Sequence, residues 1–363
     1  MFKSNTLRKY FFIEYSKYIL NITLIFLSLG IILNLFEEIN FFKNQDVGLW
    51  LPLSLCFLKV PNMIYKLFPF IFLISSIGLF LKLIRSEEII SIKIAGISNF
   101  KIILFPALIS LFFGIIIVTG VNSITSKLTY KYLDIKNDYT TENDYLAALT
   151  ENGIWIKDKI NNKTSIIRAD GLSGKLLKNV SIYQFDENGK HNLRIESLEA
   201  DINDYRWKLI DSHIYYTDNN KSIKYEEYYF LSNLEINGIK GLFANLDSIS
   251  FWELNKLKKN YKYLGYSTRE IDSEFQRSLA FPIFLMSMTL LAGVVVMNIK
   301  YRGNFTAYIA LSIFLSVLIY YLNDFSRALG ETEQISLMLS VWTPVSLILI
   351  FTSIGMIYVN EKQ

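Results

Sequence analysis

The sequence predicts a membrane protein of six transmembrane α-helices, three on each side of an inserted all-β domain, with both termini on the cytoplasmic side. Three observations carry this. The chain of 363 residues is 52% hydrophobic with a mean hydropathy of +0.29, well above an ordinary soluble domain. Its Ile, Leu, Phe and Val crowd the first third and the last quarter, while the middle is rich in Asn, Lys, Asp and Tyr. The basic residues of the short loops fall on one side of the predicted crossings.

A helix needs roughly 20 mostly apolar residues to cross a hydrocarbon core about 30 Å thick. Six stretches qualify: about Ile19 to Phe36, Leu67 to Leu83, Ile102 to Val121, Leu279 to Ile299, Phe305 to Leu322, and Ile335 to Val359. The segment "LWLPLSLCFL" at 49–58 is too short alone and is broken by Pro52 and Pro61, so it reads as an interfacial lead-in to the second helix. The first run follows Lys3, Arg8 and Lys9 as a signal peptide would. It is too long for one, however, and ends at Glu37 and Glu38 without a small-residue cleavage site.

Orientation follows from the short loops. Lys3, Arg8, Lys9 and Lys17 precede the first helix; Lys82, Arg85, Lys93 and Lys101 lie beside the loop between the second and third; Lys300 and Arg302 link the fourth and fifth. These belong in the cytoplasm. The opposite short loops hold Glu37, Glu38, Lys43 and Asp46, then Asp324, Arg327, Glu331 and Glu333, an acid-rich balance. The polar middle, roughly 126–272, is therefore exported.

From about Asn152 to Leu234 the pattern alternates in short runs such as "GIWIKD", "NVSIYQFD" and "RWKLIDSHIYY", separated by turn clusters such as "DENGK". This period of two predicts antiparallel strands in a sandwich, jelly roll or open trough. Its many aromatics fill a core or line a groove for acyl chains, and strands of this kind need them for a core in any case. Two amphipathic helical segments follow, with Ser250 and Glu253, then Ser267 and Glu270, at capping-box spacing and Gly265 between them. The boundaries read as 1–125 for the first three helices, 126–249 for the β domain, 250–272 for the helical connection and 273–363 for the last three helices.

Several function classes are excluded. One cysteine, Cys56, forms no intrachain disulfide, and two histidines, His191 and His213, are few for a metal site. A net charge of +4 with dispersed basic residues gives no nucleic-acid footprint. No phosphate-binding loop, H-E-x-x-H or G-x-S-x-G motif occurs; "GLSGK" at 171–175 has the wrong spacing for the first. Glu14 and Asp324 sit near helix ends, leaving no carboxylate relay for an ion-coupled pump. Energy for movement must come from a partner, and the chain itself calls for no cofactor.

One cytoplasmic loop stands out. In "RSEEIISIKIAGIS", residues 85–98, Ile90, Ile94 and Ile97 follow a helical stripe on a segment with no sheet to join. Arg85 can pair with Glu88 and simply solubilise the loop. The sharper reading is a short coupling helix that docks into a groove of a cytoplasmic ATPase.

The order of three helices, a β domain and three helices, with "RSEEIISIKIAG" after the second, resembles the permease family of the bacterial lipopolysaccharide exporter, its F and G subunits. The resemblance covers essentially the whole chain. "NGIWIKD", "NVSIYQFDENG" and "LDSISFWELNKLKKNYKYLGYSTREIDSEFQRSLAFPI" are more similar to the G subunit. It implies a jelly-roll-like periplasmic domain, a homologous F-type companion permease, a dimer of a cytoplasmic ATPase that uses the ATP, and a single-helix periplasmic jelly-roll partner, the C subunit. It also implies an inner-membrane location in Gram-negative cells, with lipopolysaccharide as the substrate passed along a β groove. On the same ground, Glu88 falls on the acid of the family's coupling helix and Gly96 on the glycine that ends it, with Arg85, Ile90 and Ile94 beside them. Where family members carry basic residues for the lipid phosphates this chain has Asn34 and Asn62. Lys43, Lys59 and Lys66 lie close enough in sequence to substitute, or to anchor helix ends at the headgroups. Rival readings are a lipoprotein-release or FtsX-like permease, whose large domain follows the first helix rather than the third, and a non-transporting scaffold with a partner-binding β domain. An intramembrane enzyme is a third, against which the missing catalytic constellation argues.

Overall fold

The computed structural model describes residues 5–43, 45–137, 139, 154–160, 163–173, 175–187, 189–217, 221–234, 245–264, 266–297 and 305–361. Lys3, Gly265, Lys300 and Arg302 lie outside them. The chain divides into two compact units. One comprises Met1–Thr129, Ser250–Trp252 and Arg269–Gln363, the other Tyr130–Ile249 and Glu253–Thr268.

The first unit is helical. Its elements are α1 (Asn5–Phe41), α2 (Trp50–Arg85), the short α3 (Glu88–Ile94), and α4 (Asn99–Ile116), which runs through a π-helical turn (Ile117–Val121) into α5 (Asn122–Asn137), whose residues from Tyr130 on are counted with the second unit. After the second unit's α6 (Phe251–Leu264) come α7 (Arg269–Met297), α8 (Phe305–Glu331) and α9 (Leu337–Glu361). Five helices are long and apolar enough to cross a membrane: α1, α2, the α4–α5 run, α7 and α9. The stretch expected as the fifth crossing falls on α8, 27 residues long.

Three helices extend beyond the expected crossings. The segment at 49–58 is not a separate lead-in but the first turns of α2, which is continuous through Pro61 and Pro69. Pro52 sits in the first turn, where backbone N–H groups lack helical partners anyway, and interior prolines are tolerated where packed neighbouring helices stand in for the lost bond. The third long helix continues past the expected crossing, about Ile102 to Val121, as far as Asn137. Beyond Val121 the residues are polar, yet Thr125, Ser126, Thr129, Tyr132, Leu133 and Lys136 are buried on one helical face. The second amphipathic segment runs straight on into the expected fourth crossing. It forms the first turns of α7, which starts at Arg269 and carries on into the apolar stretch.

Side chains of α1, α2, α4 and α7 meet in the bundle interior. α7 packs against α2, α4 and α9, and α1 against α2. At their centre the Tyr15 hydroxyl lies 2.8 Å from Ser76 Oγ, 2.8 Å from Ser110 Oγ and 2.9 Å from Thr289 Oγ1. Ser110 and Thr289 are themselves 2.6 Å apart. All four side chains are fully buried. An unpaired hydroxyl in such surroundings is costly, so each is satisfied by another or by the carbonyl one turn back, as Ser76 is by Phe72 O at 2.6 Å. Close backbone contact accompanies this knot. A Cβ on Gly114 of α4 would lie 2.6 Å from Pro282 Cα of α7, so only glycine allows the two helices to approach this far.

The second unit contains one antiparallel sheet. Its strands are β1 (Ile154–Ile160), β2 (Lys163–Ala169), β3 (Gly171–Ser173), β4 (Leu176–Phe185), β5 (His191–Asp201), β6 (Arg206–Tyr216) and β7 (Lys221–Leu231), in the order β1-β2-β4-β5-β6-β7, with β3 also on β4. Apart from β3, which pairs only with β4, each described strand on this path lies beside the next, so the described strands form a meander. The "DENGK" cluster makes the β4–β5 turn, with Gly189 at φ 76° and Asp186 N donating to Lys190 O at 3.0 Å. Ile156, Ile167, Ile182, Ile195, Trp207, Leu209, Ile214 and Phe230 pack on one face. The aromatics divide: Trp207 and Phe230 belong to this core, whereas Trp155, Tyr215 and Tyr229 are exposed. Buried Asp158 accepts from Ser232 Oγ at 2.8 Å and Asn233 N at 3.0 Å, which closes the sheet's far end onto β1.

Thermal unfolding of the purified chain in detergent measures both features of the bundle. Tyr15→Phe should cost ~1 kcal/mol by removing the shared partner of three hydroxyls, whereas Thr23→Val, whose hydroxyl bonds only its own helix at Ile19 O, should cost less than about half of that. Gly114→Val should cost about 1–3 kcal/mol because α4 and α7 must part, while Gly120→Ala, with nothing within 4 Å, should leave the midpoint in place.

Candidate functional site

The segment between α2 and α4 is built to stand out from the bundle. α2 ends as Ser86 N donates to Lys82 O at 2.9 Å, and Glu87 then adopts φ 55°, which reverses the chain. α3 follows for seven residues, with Glu88 in its first turn and Lys93 in its last, each matching the sign of the helix end it occupies. Gly96 stops it at φ 79°. Its N–H donates to Lys93 O at 2.8 Å and that of Ile97 to Ile92 O at 3.3 Å, the paired bonds of a left-handed glycine cap. α4 starts at Asn99, whose side-chain nitrogen donates to Val359 O at 3.0 Å and so ties this end of α4 to α9.

The two faces of α3 differ sharply. Ile89 and Ile92 are 2% and 7% exposed and belong to the bundle core, whereas Ile90 and Ile94 are 40% and 83% exposed. The expected stripe therefore exists at Ile90 and Ile94. Ile97 does not extend it, because the turn at Gly96 carries it back to pack against the core. Arg85 and Glu87 are exposed beside the stripe. Glu88 is held from within the chain: Tyr10 of α1 donates to its Oε2 at 2.5 Å and Ser86 Oγ to its Oε1 at 2.8 Å.

Sequence reasoning missed Tyr10, and it read Glu14, Lys17 and Lys82 only as helix-end charges. Glu14, one turn along α1, pairs with Lys82 at 2.5 Å and Lys17 at 3.0 Å, and the Lys82 ammonium lies 5.6 Å from the Tyr10 ring centroid. The signal was present, since Tyr10, Glu14 and Lys17 recur at helical spacing on one face of α1.

The three candidate headgroup lysines are not alike. Lys59 lies 2.7 Å from Glu37 and 3.8 Å from Glu38 of α1, so an anion would have to compete with two carboxylates for it. Lys43 and Lys66 are exposed. Asn34, standing where a basic residue was expected, is buried and donates to Gly30 O at 2.8 Å and Met63 Sδ at 3.2 Å, a role internal to the α1–α2 pair. Among the described residues no cluster of three His, Cys, Asp or Glu side chains could hold a metal ion.

Comparison with known proteins agrees with this architecture. No curated protein matches the chain. A family model described as "Lipopolysaccharide export system permease LptF/LptG" matches residues 9–358, which takes in every helix and strand described above apart from the outermost turns. The membrane-crossing helices, the antiparallel sheet and the matched span lead to one conclusion: the chain is a multi-pass membrane protein that belongs to the LptF/LptG family of lipopolysaccharide export permeases.

Proposed function

We propose that the chain is the G-type permease subunit (LptG) of an ATP-driven exporter that extracts lipopolysaccharide from the inner membrane and passes it towards the outer membrane. A separate cytoplasmic ATPase dimer supplies the work, and an F-type permease completes the membrane part. The observation that carries the coupling step is the outward pair Ile90 and Ile94 on a short helix whose opposite side, Ile89 and Ile92, is seated in the bundle core. An exposed apolar pair on a braced helix suits helix-in-groove docking, and exposed Arg85 and Glu87 supply charge at its rim. Glu88 and Gly96 fix where this helix begins and ends.

The proposal extends to the rest of the chain. α8 is the sixth crossing, both termini are cytoplasmic, and the sheet unit is periplasmic, where it meets the single-helix partner. Exposed aromatics of the sheet offer apolar surface to acyl chains, and Lys43, Lys59 and Lys66 are the candidate contacts to lipid phosphates, with Lys59 shared with Glu37 and Glu38. The chain itself binds no cofactor.

Copurification with a tagged ATPase and the companion permease tests the docking surface. Ile94→Asp places a charge at the centre of the apolar pair and should weaken ATPase retention by about tenfold or more, while Ile94→Leu should retain it. Undiminished retention in Ile94→Asp would exclude α3 as the docking surface. Failure of the wild-type chain to retain any ATPase would favour a non-transporting scaffold.

A further inference from the structure

The outward residues of α3 receive the push in the function proposed above. A push is useful only if it is passed on, and the structure shows where it would go. The Glu88 carboxylate offers two oxygens, and both are engaged inside the chain: Oε2 by the Tyr10 hydroxyl at 2.5 Å and Oε1 by Ser86 Oγ at 2.8 Å. Bonds from hydroxyl donors to an ionised carboxylate are short and strong. The bond to Tyr10 joins residues 78 apart in sequence, and so links the start of α3 directly to α1.

A second link lies one helical turn further along. Lys82, in the last turn of α2, donates to Glu14 Oε2 at 2.5 Å, and Lys17 donates to Glu14 Oε1 at 3.0 Å. The Lys82 ammonium also sits over the Tyr10 ring. Tyr10, Glu14 and Lys17 thus form one polar strip on α1 that holds both the end of α2 and the start of α3. Next to Glu14 is Tyr15, whose hydroxyl is the centre of the buried knot joining α1 to α2, α4 and α7.

We propose that Tyr10 is a positioning residue for transport: its bond to Glu88 tethers α3 to α1, so that movement imposed on Ile90 and Ile94 is transmitted to α1 rather than absorbed by a swing of the short helix. Glu88 acts first as the chain's own anchor point, and the acid that faces outward is Glu87. The inference rests on α3 being the ATPase docking element. It separates two jobs that a single Glu88 substitution would confound, since Glu88→Ala removes a charge near the docking face and the tether together. Tyr10→Phe removes the tether alone.

The test uses the complex of this chain, the companion permease and the ATPase in lipid nanodiscs and proteoliposomes. Three quantities are compared for wild type, Tyr10→Phe, Glu88→Gln and Glu88→Ala: ATPase retention, amide hydrogen exchange over residues 88–97, and lipopolysaccharide released per ATP hydrolysed. Tyr10→Phe should retain the ATPase, raise exchange across α3 about tenfold and lower release per ATP by a similar factor. Glu88→Gln, which keeps an acceptor for Tyr10, should fall between wild type and Glu88→Ala. Unchanged exchange in Tyr10→Phe would show that no tether exists, and raised exchange with unchanged release per ATP would show a tether that transmits nothing; either overturns the inference. Loss of ATPase from the wild-type complex would instead fail the docking proposal, and the inference with it.

Discussion

A hydroxyl buried among apolar helices has no water to turn to, and this constraint organises the helical unit. Tyr15, Ser76, Ser110 and Thr289 come from four different helices, and each finds its partner in the others or in a carbonyl one turn back. Moving any one of α1, α2, α4 or α7 relative to the rest would expose polar groups that nothing else can satisfy. Glycine contacts tighten the same arrangement, with α4 and α7 in backbone contact at Gly114 and Pro282. The four helices therefore act as a block, to which α8 and α9 are joined by separate polar links. Arg269 of α7 donates to Gly330 O at 2.8 Å, and Trp342 of α9 donates to Gln276 of α7 at 3.2 Å.

A block of this kind needs a handle if a partner is to move it. α3 has the features of one, being too short to be stable alone, seated by Ile89 and Ile92, capped by Gly96 and pinned at its start by Tyr10. Each contact fixes a different degree of freedom. The two isoleucines set its depth, the glycine cap sets where it ends, and the Tyr10 bond sets its angle to α1. In the proposed exporter the ATPase meets what remains, the outward pair Ile90 and Ile94 with Arg85 and Glu87 at its rim.

Much of this was legible in the sequence, because periodicity reports the burial that drives folding. Long apolar runs predicted six crossings, five of which fall on helices long and apolar enough to span a membrane, and alternation between residues 152 and 234 located the strands. The exposed half of α3 was also visible in its spacing. Pro52 and Pro61 misled because the rule that proline breaks helices was framed for chains in water, and α2 lies in a packed apolar bundle. Ile97 misled because a stripe drawn on an ideal helix ignores the cap at Gly96. The hydroxyl knot was invisible for a different reason: Tyr15, Ser76, Ser110 and Thr289 are spread over 274 positions, and only the packing of four helices brings them together. The meander of the sheet depends likewise on turn geometry and pairing order, which alternation does not encode.

The central claim is that this chain is a mechanical part of a lipopolysaccharide exporter, moved by a partner that hydrolyses ATP. Its most direct test is extraction of lipopolysaccharide from proteoliposomes that contain the chain, its companion permease and the ATPase, supplied with a soluble periplasmic acceptor. The account predicts transfer to the acceptor only when ATP, the ATPase and this chain are all present. Transfer that proceeds without the ATPase, or no transfer from the complete and ATP-hydrolysing assembly, would contradict it.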